Sequence, residues 1–421
     1  MVNVRPLVRD YILNVSGIGR LNRQVTIGML PDEVLLEIFD FYIDELGGNI
    51  AFDAWHLLVH VCRRWRNLVF ISPRRLNLKL RCTYRRSVEK MLDIWPELPI
   101  VIEAFGYPPG EGAVDALGLK HRMSYIRLWG VPNSLLQKCA VMMQDPFPVL
   151  TDLHLWLASD MDPIVISDSF LGGSAPSLQW VHFSGISFPG LPNLLLSATN
   201  LSYLCFEGIP HFGYISPEAM VTCLSGLTRL EQLYFKFQSS QSRPDRASRL
   251  PPPLTRTLLP ALTHISIQGI TEYLEDLVSR IDVLSLKGIA ITLFYQPVFD
   301  ILELHDFVRR GSKFAVLDKA DIVFAHSSVY IVLSPQFGAV DLENLKLGIS
   351  CGLSESQLSS LVQICVLCKT TLSTLRRLAI RVRNDLYFPP DLPDDTAQWH
   401  QKSIFSFKSA QTKNYKTTDL F

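Results

Sequence analysis

LQWVHFSGI (178–186) and LSYLCFEGI (201–209) are two copies of one pattern, L-x-x-L-x-L followed by x-G-I, with Val and Phe standing in for leucine. Apolar residues alternate with others through the middle of each copy, which predicts a short strand with one buried face. The spacing recurs at MSYIRLWGV (123–131), LTDLHLWL (150–157), LEQLYFKF (230–237), LTHISIQGI (262–270), IDVLSLKGI (281–289), LENLKLGI (342–349) and LRRLAIRV (375–382). The first six copies start 27, 28, 23, 29 and 32 residues apart. Each interval holds one strand, a turn and a return segment. A single unit of that size cannot bury its apolar side, so the copies must stack into a continuous core. Nine copies over about 260 residues set the expected class as α/β, an α+β repeat.

The intervals bracket the leucine-rich-repeat period of roughly 20–29 residues. The stretch 120–383 resembles such an array. One position departs from that family's pattern. Where Asn or Cys is usual, the copies carry Val131, Ile186, Ile209, Ile270 and Ile289. The inter-coil hydrogen bonds of an asparagine ladder must then come from elsewhere or from water, so an irregular horseshoe is expected rather than a uniform one. KADIVFA and SVYIVLS read as paired strands interrupting the array, after a helical LELHDFVRR. The stretch 239–257 is rich in Ser, Pro and Arg and reads as a loop. The segment 384–421 is expected to be a poorly ordered tail.

The composition limits the alternatives. The chain has 421 residues, 40 Lys+Arg and 40 Asp+Glu, with 48% apolar and 19% charged residues. That is ample material for a large core and excludes a wholly disordered chain. Zero net charge argues against a general binder of nucleic acid or membrane surface. No long uninterrupted apolar run of the kind a membrane-spanning helix needs occurs. Asp10 and scattered arginines interrupt the first residues where a secretory segment would be apolar. Eight unpatterned cysteines fit a reducing compartment, so a cytoplasmic or nuclear location is expected. The acceptor patterns at Asn14 and Asn200 then read as chance.

Upstream of the repeats the character changes. Residues 1–28 show no sustained periodicity. LPDEVLLEIFDFYIDE then places Val34, Leu35, Ile38, Phe39 and Tyr42 on one helical stripe, with Pro31 in the first turn and Asp32, Glu33 and Glu37 near the positive helix start. Gly47 and Gly48 end it. A second helix is expected over AWHLLVHVCRRWRNLVF, with Leu58, Val61, Cys62, Trp65 and Leu68 as its apolar face, closed by Ser72 and Pro73. Two short helices bury little area alone and call for a partner surface.

Leu30-Pro31-Asp32-Glu33 with Leu35, Ile38 and Phe39, followed by Val61-Cys62-Arg63-Arg64-Trp65-Arg66, resembles the F-box of substrate receptors in cullin–RING ubiquitin ligases. Together with the downstream repeats, the chain is similar to the F-box/leucine-rich family, and CRRWRNLVFISPRRLNLKL to F-box-like proteins abundant in mushroom-forming fungi. The linker from Asp44 to Asp53 is longer than usual, and Ser-Pro-Arg-Arg-Leu-Asn-Leu replaces a terminal Leu-Trp. The resemblance implies a module over 29–76 joined to the array by a connecting segment, 77–119. It also implies that Leu30, Pro31, Leu35, Ile38, Val61, Cys62 and Trp65 bind a Skp-family adaptor and, through it, a cullin. The same residues could instead close a small helical core.

No catalytic set emerges, and neither enzyme activity nor a cofactor is expected. His56 and His60 stand four residues apart, but no third ligand is placed with them, so no metal is expected there. Cys365-x-x-Cys368 lies in an apolar helical stretch without a second pair. Gly17-x-Gly19 lacks the rest of a nucleotide fingerprint. Target recognition would fall to the strand residues facing away from the core: His154, Trp156, His182, Glu207, Tyr234, Lys236, Gln268 and Lys287. The alternative is an ordinary solvated face. Residues 63–90 carry ten Lys/Arg against Glu89, whereas 30–62 carry seven acids and no Lys/Arg. The basic run has little aromatic interleaving and fits an acidic protein better than nucleic acid. The expected role is a substrate receptor of an SCF-type ubiquitin ligase; the alternative is a repeat scaffold for protein interaction outside any ligase.

Overall fold

The computed structural model describes residues 27–46, 55–82, 98–105, 114–157, 164–241, 255–296, 301–310, 319–325, 327–334, 344–351, 357, 359–362, 365 and 377–382. Expectations for most of 1–28, most of the Asp44–Asp53 linker, most of 239–257, Cys368 and 384–421 fall outside them. The chain divides into two compact units, Met1–Lys79 and Leu80–Phe421.

In the first unit, α1 spans Asp32–Leu46 and α2 spans Arg63–Ile71. Asp32 and Glu33 occupy the first turn of α1, where the helix dipole favours acids. The buried face of α1 is Leu35, Leu36 and Phe39, while Ile38 is exposed, so the stripe expected from the sequence is rotated. The single second helix expected over 54–70 is broken. Residues 55–59 are helical, His60 and Val61 turn, and Cys62 is extended at φ −159°, ψ 170° before α2 begins. His56 and His60 therefore do not share one helix; His56 stacks on Trp55 at 3.8 Å between ring centroids. Arg66 Nε donates to Val59 O at 3.0 Å and satisfies a carbonyl left open by the break. Arg64 donates to Leu30 O at 2.6 Å and, through Nε, to Asp32 at 3.1 Å, tying α2 to the entry of α1. Arg75 pairs with Glu37. Three arginines of the basic run are thus spent on internal partners.

The second unit is mixed α/β, with a large, mostly parallel sheet. Its strands are β1 (Leu80–Cys82), β2 (Ile100–Phe105), β3 (Met123–Val131), β4 (Asp152–Leu157), β5 (Ile164–Val165), β6 (Trp180–Ser184), β7 (Ile186–Ser187), β8 (Tyr203–Ile209) and β9 (Gln232–Phe237). They continue as β10 (Thr257–Leu258), β11 (His264–Gly269), β12 (Ile281–Asp282), β13 (Gly288–Phe294), β14 (Lys319–Ala325), β15 (Ser328–Ser334), β16 (Leu345–Ser350) and β17 (Arg377–Val382). Thirteen described strands form one sheet in the order β1-β2-β3-β4-β6-β8-β9-β11-β13-β16-β15-β14-β17. From β1 to β13 each strand of this sheet adds in parallel beside the one before, as stacked units require. β14 and β15 form the expected hairpin, which joins the sheet between β16 and β17. Two small parallel pairs, β5–β7 and β10–β12, lie outside it.

Two expectations change. The connecting segment 77–119 carries β1 and β2, whose sequences LRC and IVIEAF lack the repeat spacing. IDVLSLKGI (281–289) is not one strand: Ile281 and Asp282 form β12, Leu284 is 71% exposed, and the sheet strand starts at Gly288. The true copy is LKGIAI (286–291), five residues later, so Ile289 lies inside a strand and Lys287 just before one.

The rows inside the sheet explain the alternation. Leu155, Phe183, Phe206, Phe235, Ile267, Ile291 and Leu347 are register partners on successive strands. Phe183 and Phe206 meet edge-on at 6.0 Å between centroids, a favoured geometry for aromatic pairs. Backbone hydrogen bonds link the starts of successive copies. The N–H groups of Thr151, Gln179, Ser202, Glu231, Thr263 and Lys287 each donate to the backbone carbonyl one copy earlier, at 2.7–2.9 Å. Hydroxyls double several rungs, as Thr151 Oγ1 to Ser124 O at 2.9 Å and Thr263 Oγ1 to Glu231 O at 3.0 Å. Gly185, in the x-G-I turn, has a φ of 71°. That left-handed backbone is one that side chains disfavour, and it turns Ile186 into the core.

Helices α3 (Asn133–Met142), α4 (Leu191–Ser197), α5 (Pro217–Ser225), α6 (Thr271–Arg280) and α7 (Leu302–Arg310) form return segments, and α4 to α7 pack side by side in chain order. Ser216 caps α5, its Oγ accepting from Ala219 N at 3.2 Å, with Pro217 in the first turn. α6 is almost wholly buried, and its charges are paired: Arg280 meets Asp276 at 3.0 Å and Glu218 at 2.8 Å.

Candidate functional site

Two surfaces bring together the residues singled out from sequence. In the first unit, Leu35 is fully buried and belongs to the inner packing rather than to an exposed anchor. Trp65 is half-buried and packs on Phe39 at 4.6 Å between centroids, so it also serves the core. Leu30 is half-buried; Pro31, Ile38, Val61 and Cys62 are exposed. The sequence reading missed Phe41 and Leu57, which are 58% and 60% exposed, against 57% for Val61. Phe41 follows Ile38 by three residues on α1 and shares its face. The exposed Ile38, Phe41, Leu57 and Val61 are candidate interface residues. The sequence signal for Phe41 was present, but it lies off the stripe that helical periodicity favoured.

The second surface is the outer face of the large sheet. Strand alternation points His154 and Trp156 (β4), His182 (β6), Glu207 (β8), Tyr234 and Lys236 (β9) and Gln268 (β11) to this side. Lys287 does not join them, because it precedes β13. The face also carries Tyr125, Arg127 and Trp129 on β3, Trp180 on β6, and Tyr203 and Cys205 on β8. These occupy the same row positions or lie two residues up or down the strand, so extending the alternation would have found them.

The aromatic rings are continuous across strands. Trp129 stacks on Trp156 at 4.0 Å, and Trp156 reaches His182 at 5.2 Å. Trp180 stacks on Tyr203 at 4.4 Å and 12°, and Tyr203 reaches Tyr234 at 5.4 Å. Tyr125 lies 5.6 Å from His154, with the Arg127 guanidinium 5.6 Å from the Tyr125 ring centroid. Trp129 and Trp180 remain 41% and 40% exposed, which is large for rings already stacked on a neighbour. Lys236 bonds Glu207 at 2.6 Å and sits 5.8 Å from the Tyr234 ring.

Burial sets the charge state of this face. It pushes the His154 imidazole down to about 4, helped by Arg127 and His182, and lowers His182 as well. It raises the Tyr203 and Tyr234 phenols and lifts the Cys205 thiol to about 12. At neutral pH both imidazoles are therefore neutral, and the aromatic rings of this face stand beside the Arg127 charge and the Lys236–Glu207 pair. Rigid aromatic area with few polar handles suits recognition of another macromolecule.

Among the described residues, no helix is long and apolar enough to cross a membrane. No protein-family model matches the chain, and no curated protein matches it.

Proposed function

We propose that the chain is a non-catalytic substrate receptor of an SCF-type ubiquitin ligase acting in the cytoplasm or nucleus. The helical unit binds a Skp-family adaptor and the sheet face binds the target protein. The observation that carries this reading is the exposure of four large apolar side chains, Ile38, Phe41, Leu57 and Val61, on the segment whose Leu-Pro-Asp-Glu and Val-Cys-Arg-Arg-Trp motifs resemble an F-box. The parallel stack of the second unit is read as a leucine-rich-repeat array, an irregular horseshoe without an asparagine ladder. Its aromatic face supplies anchors for a partner. Ubiquitin transfer is then accelerated by proximity alone, with the reacting groups held in other subunits.

Co-expression of the full chain with a Skp-family adaptor, followed by size-exclusion chromatography, tests the reading. A stable complex is expected, and Phe41→Glu with Val61→Glu should abolish it while leaving helicity unchanged. Leu35→Asp is a poor probe, because burying a charge at a fully buried site unfolds the unit. Failure of the unsubstituted chain to bind any adaptor would remove the ligase reading and leave an interaction scaffold.

A further inference from the structure

The outer face holds one cluster that protein recognition does not require. His182 on β6 is the register partner of Cys205 on β8, and Glu207 follows Cys205 by two residues on the same face. Their ligand atoms, one imidazole nitrogen, one thiol sulfur and one carboxylate oxygen, lie within 4.8 Å of one another. His182 Nε2 is buried and has no hydrogen-bond partner. A buried ring nitrogen without a partner costs free energy unless water or a ligand meets it.

We propose that His182, Cys205 and Glu207 form a zinc site on the sheet face, with one coordination position left open to water or to a bound partner. The donor set is the reason for zinc. Imidazole nitrogen, thiolate sulfur and carboxylate oxygen are the three ligand types zinc accepts together, whereas calcium and magnesium require oxygen donors. Zinc–ligand bonds of about 2.0–2.3 Å place tetrahedral ligand atoms roughly 3.3–3.7 Å apart. The three ligand atoms, within 4.8 Å of one another, draw together by roughly 1 Å to reach that spacing.

The surroundings suit the ion. Lys236 Nζ bonds Oε1 of Glu207, which leaves Oε2 to ligate and fixes the carboxylate's orientation. Burial keeps His182 neutral, so its lone pair is available. Cys205 is a protonated thiol before binding; coordination releases that proton to solvent, and the thiolate and carboxylate together balance the two positive charges of zinc. His154, whose ring lies 6.0 Å from that of His182, and Tyr203 border the site without being required as ligands. The inference stands apart from the ligase reading, since it concerns the second unit alone and needs no adaptor.

The test uses the purified full chain, stripped with chelator, and Co²⁺ as a spectroscopic substitute followed by Zn²⁺ competition. One equivalent is expected, with the thiolate-to-cobalt absorption band and tetrahedral visible bands that Zn²⁺ abolishes. Cys205→Ser should remove the thiolate band, and His182→Asn and Glu207→Gln should each weaken binding at least ~10-fold. Circular dichroism of the three near-isosteric variants confirms that they fold, and Cys139→Ser, at a buried helix position, should bind as the unsubstituted chain does. No binding at tens of micromolar metal, or a thiolate band that survives Cys205→Ser, overturns the proposal. Either result assigns the unpartnered nitrogen to ordinary hydration.

Discussion

Helix α7 begins at Leu302 after Ile301, a residue with no side-chain acceptor for the open N–H groups of a first turn. The acceptor comes from another helix. The Glu275 carboxylate, on buried α6, takes the N–H of Glu303 at 2.9 Å through one oxygen and of Leu304 at 2.8 Å through the other. Glu275→Gln keeps the shape, removes the charge and turns an amide NH₂ toward one of the two donors. One charge-assisted bond, worth about 1.5–3 kcal/mol, is lost, and the favourable charge at the positive helix end, ~0.3–1 kcal/mol, goes with it. The sum is about 2–4 kcal/mol, or roughly a 30- to 900-fold rise in the local opening equilibrium of α7. Hydrogen exchange followed by mass spectrometry on peptides spanning 301–310 reads this directly. Faster exchange should be confined to α7 and its immediate contacts, with strands such as β8 unchanged. If α7 exchanges at the unsubstituted rate, the carboxylate is not what holds the helix start, and burial of Leu304 and Phe307 suffices.

Gly185→Ala should lower the thermal midpoint of the second unit, because a left-handed backbone costs a side chain about 1–2 kcal/mol. The new Cβ would also stand 3.3 Å from Leu157 Cβ. Gly118→Ala meets nothing within 4 Å and serves as the control; equal losses in differential scanning fluorimetry would discredit the turn argument. Acid should destabilise the sheet face through its histidines. His154 is depressed from 6.5 to about 4 by burial first and then by Arg127 and His182, so between those values the unfolded chain binds the proton and the folded chain does not. Stability is complete above pH ~6.5 and falls as pH drops toward ~4, by on the order of 2 kcal/mol after allowing for solvent at the half-buried ring. His154→Gln should flatten that slope in urea titrations across this pH range; an unchanged slope would place the acid sensitivity elsewhere.

Alternation made β3, β4, β6, β8, β9 and β11 legible in the sequence, because a strand buried on one face must alternate. It misplaced the copy at 281–289, where two frames fit the same pattern. Pairing decides between them: Ile289 is in register with Ile265, and Lys287 N–H continues the carbonyl ladder, while Leu284 points to solvent. β1 and β2 were missed because neither LRC nor IVIEAF carries the spacing that marked the other strands. In the first unit the motif residues were visible, but Leu35 and Ile38 do not share the burial that a common stripe assigned them. The helix break at Cys62 and the packing of Trp65 on Phe39 set which side is covered.

By itself the sequence determined that copies of one strand unit stack into a shared core, since no copy can bury its apolar side alone. It determined equally that a separate helical segment precedes them. Only the tertiary structure decided which positions of neighbouring copies stand side by side, because residues far apart in the chain become adjacent through register alone. That is why the His154–Trp156 alternation was readable in β4, while the meeting of His182 with Cys205 and Glu207 across two strands was not.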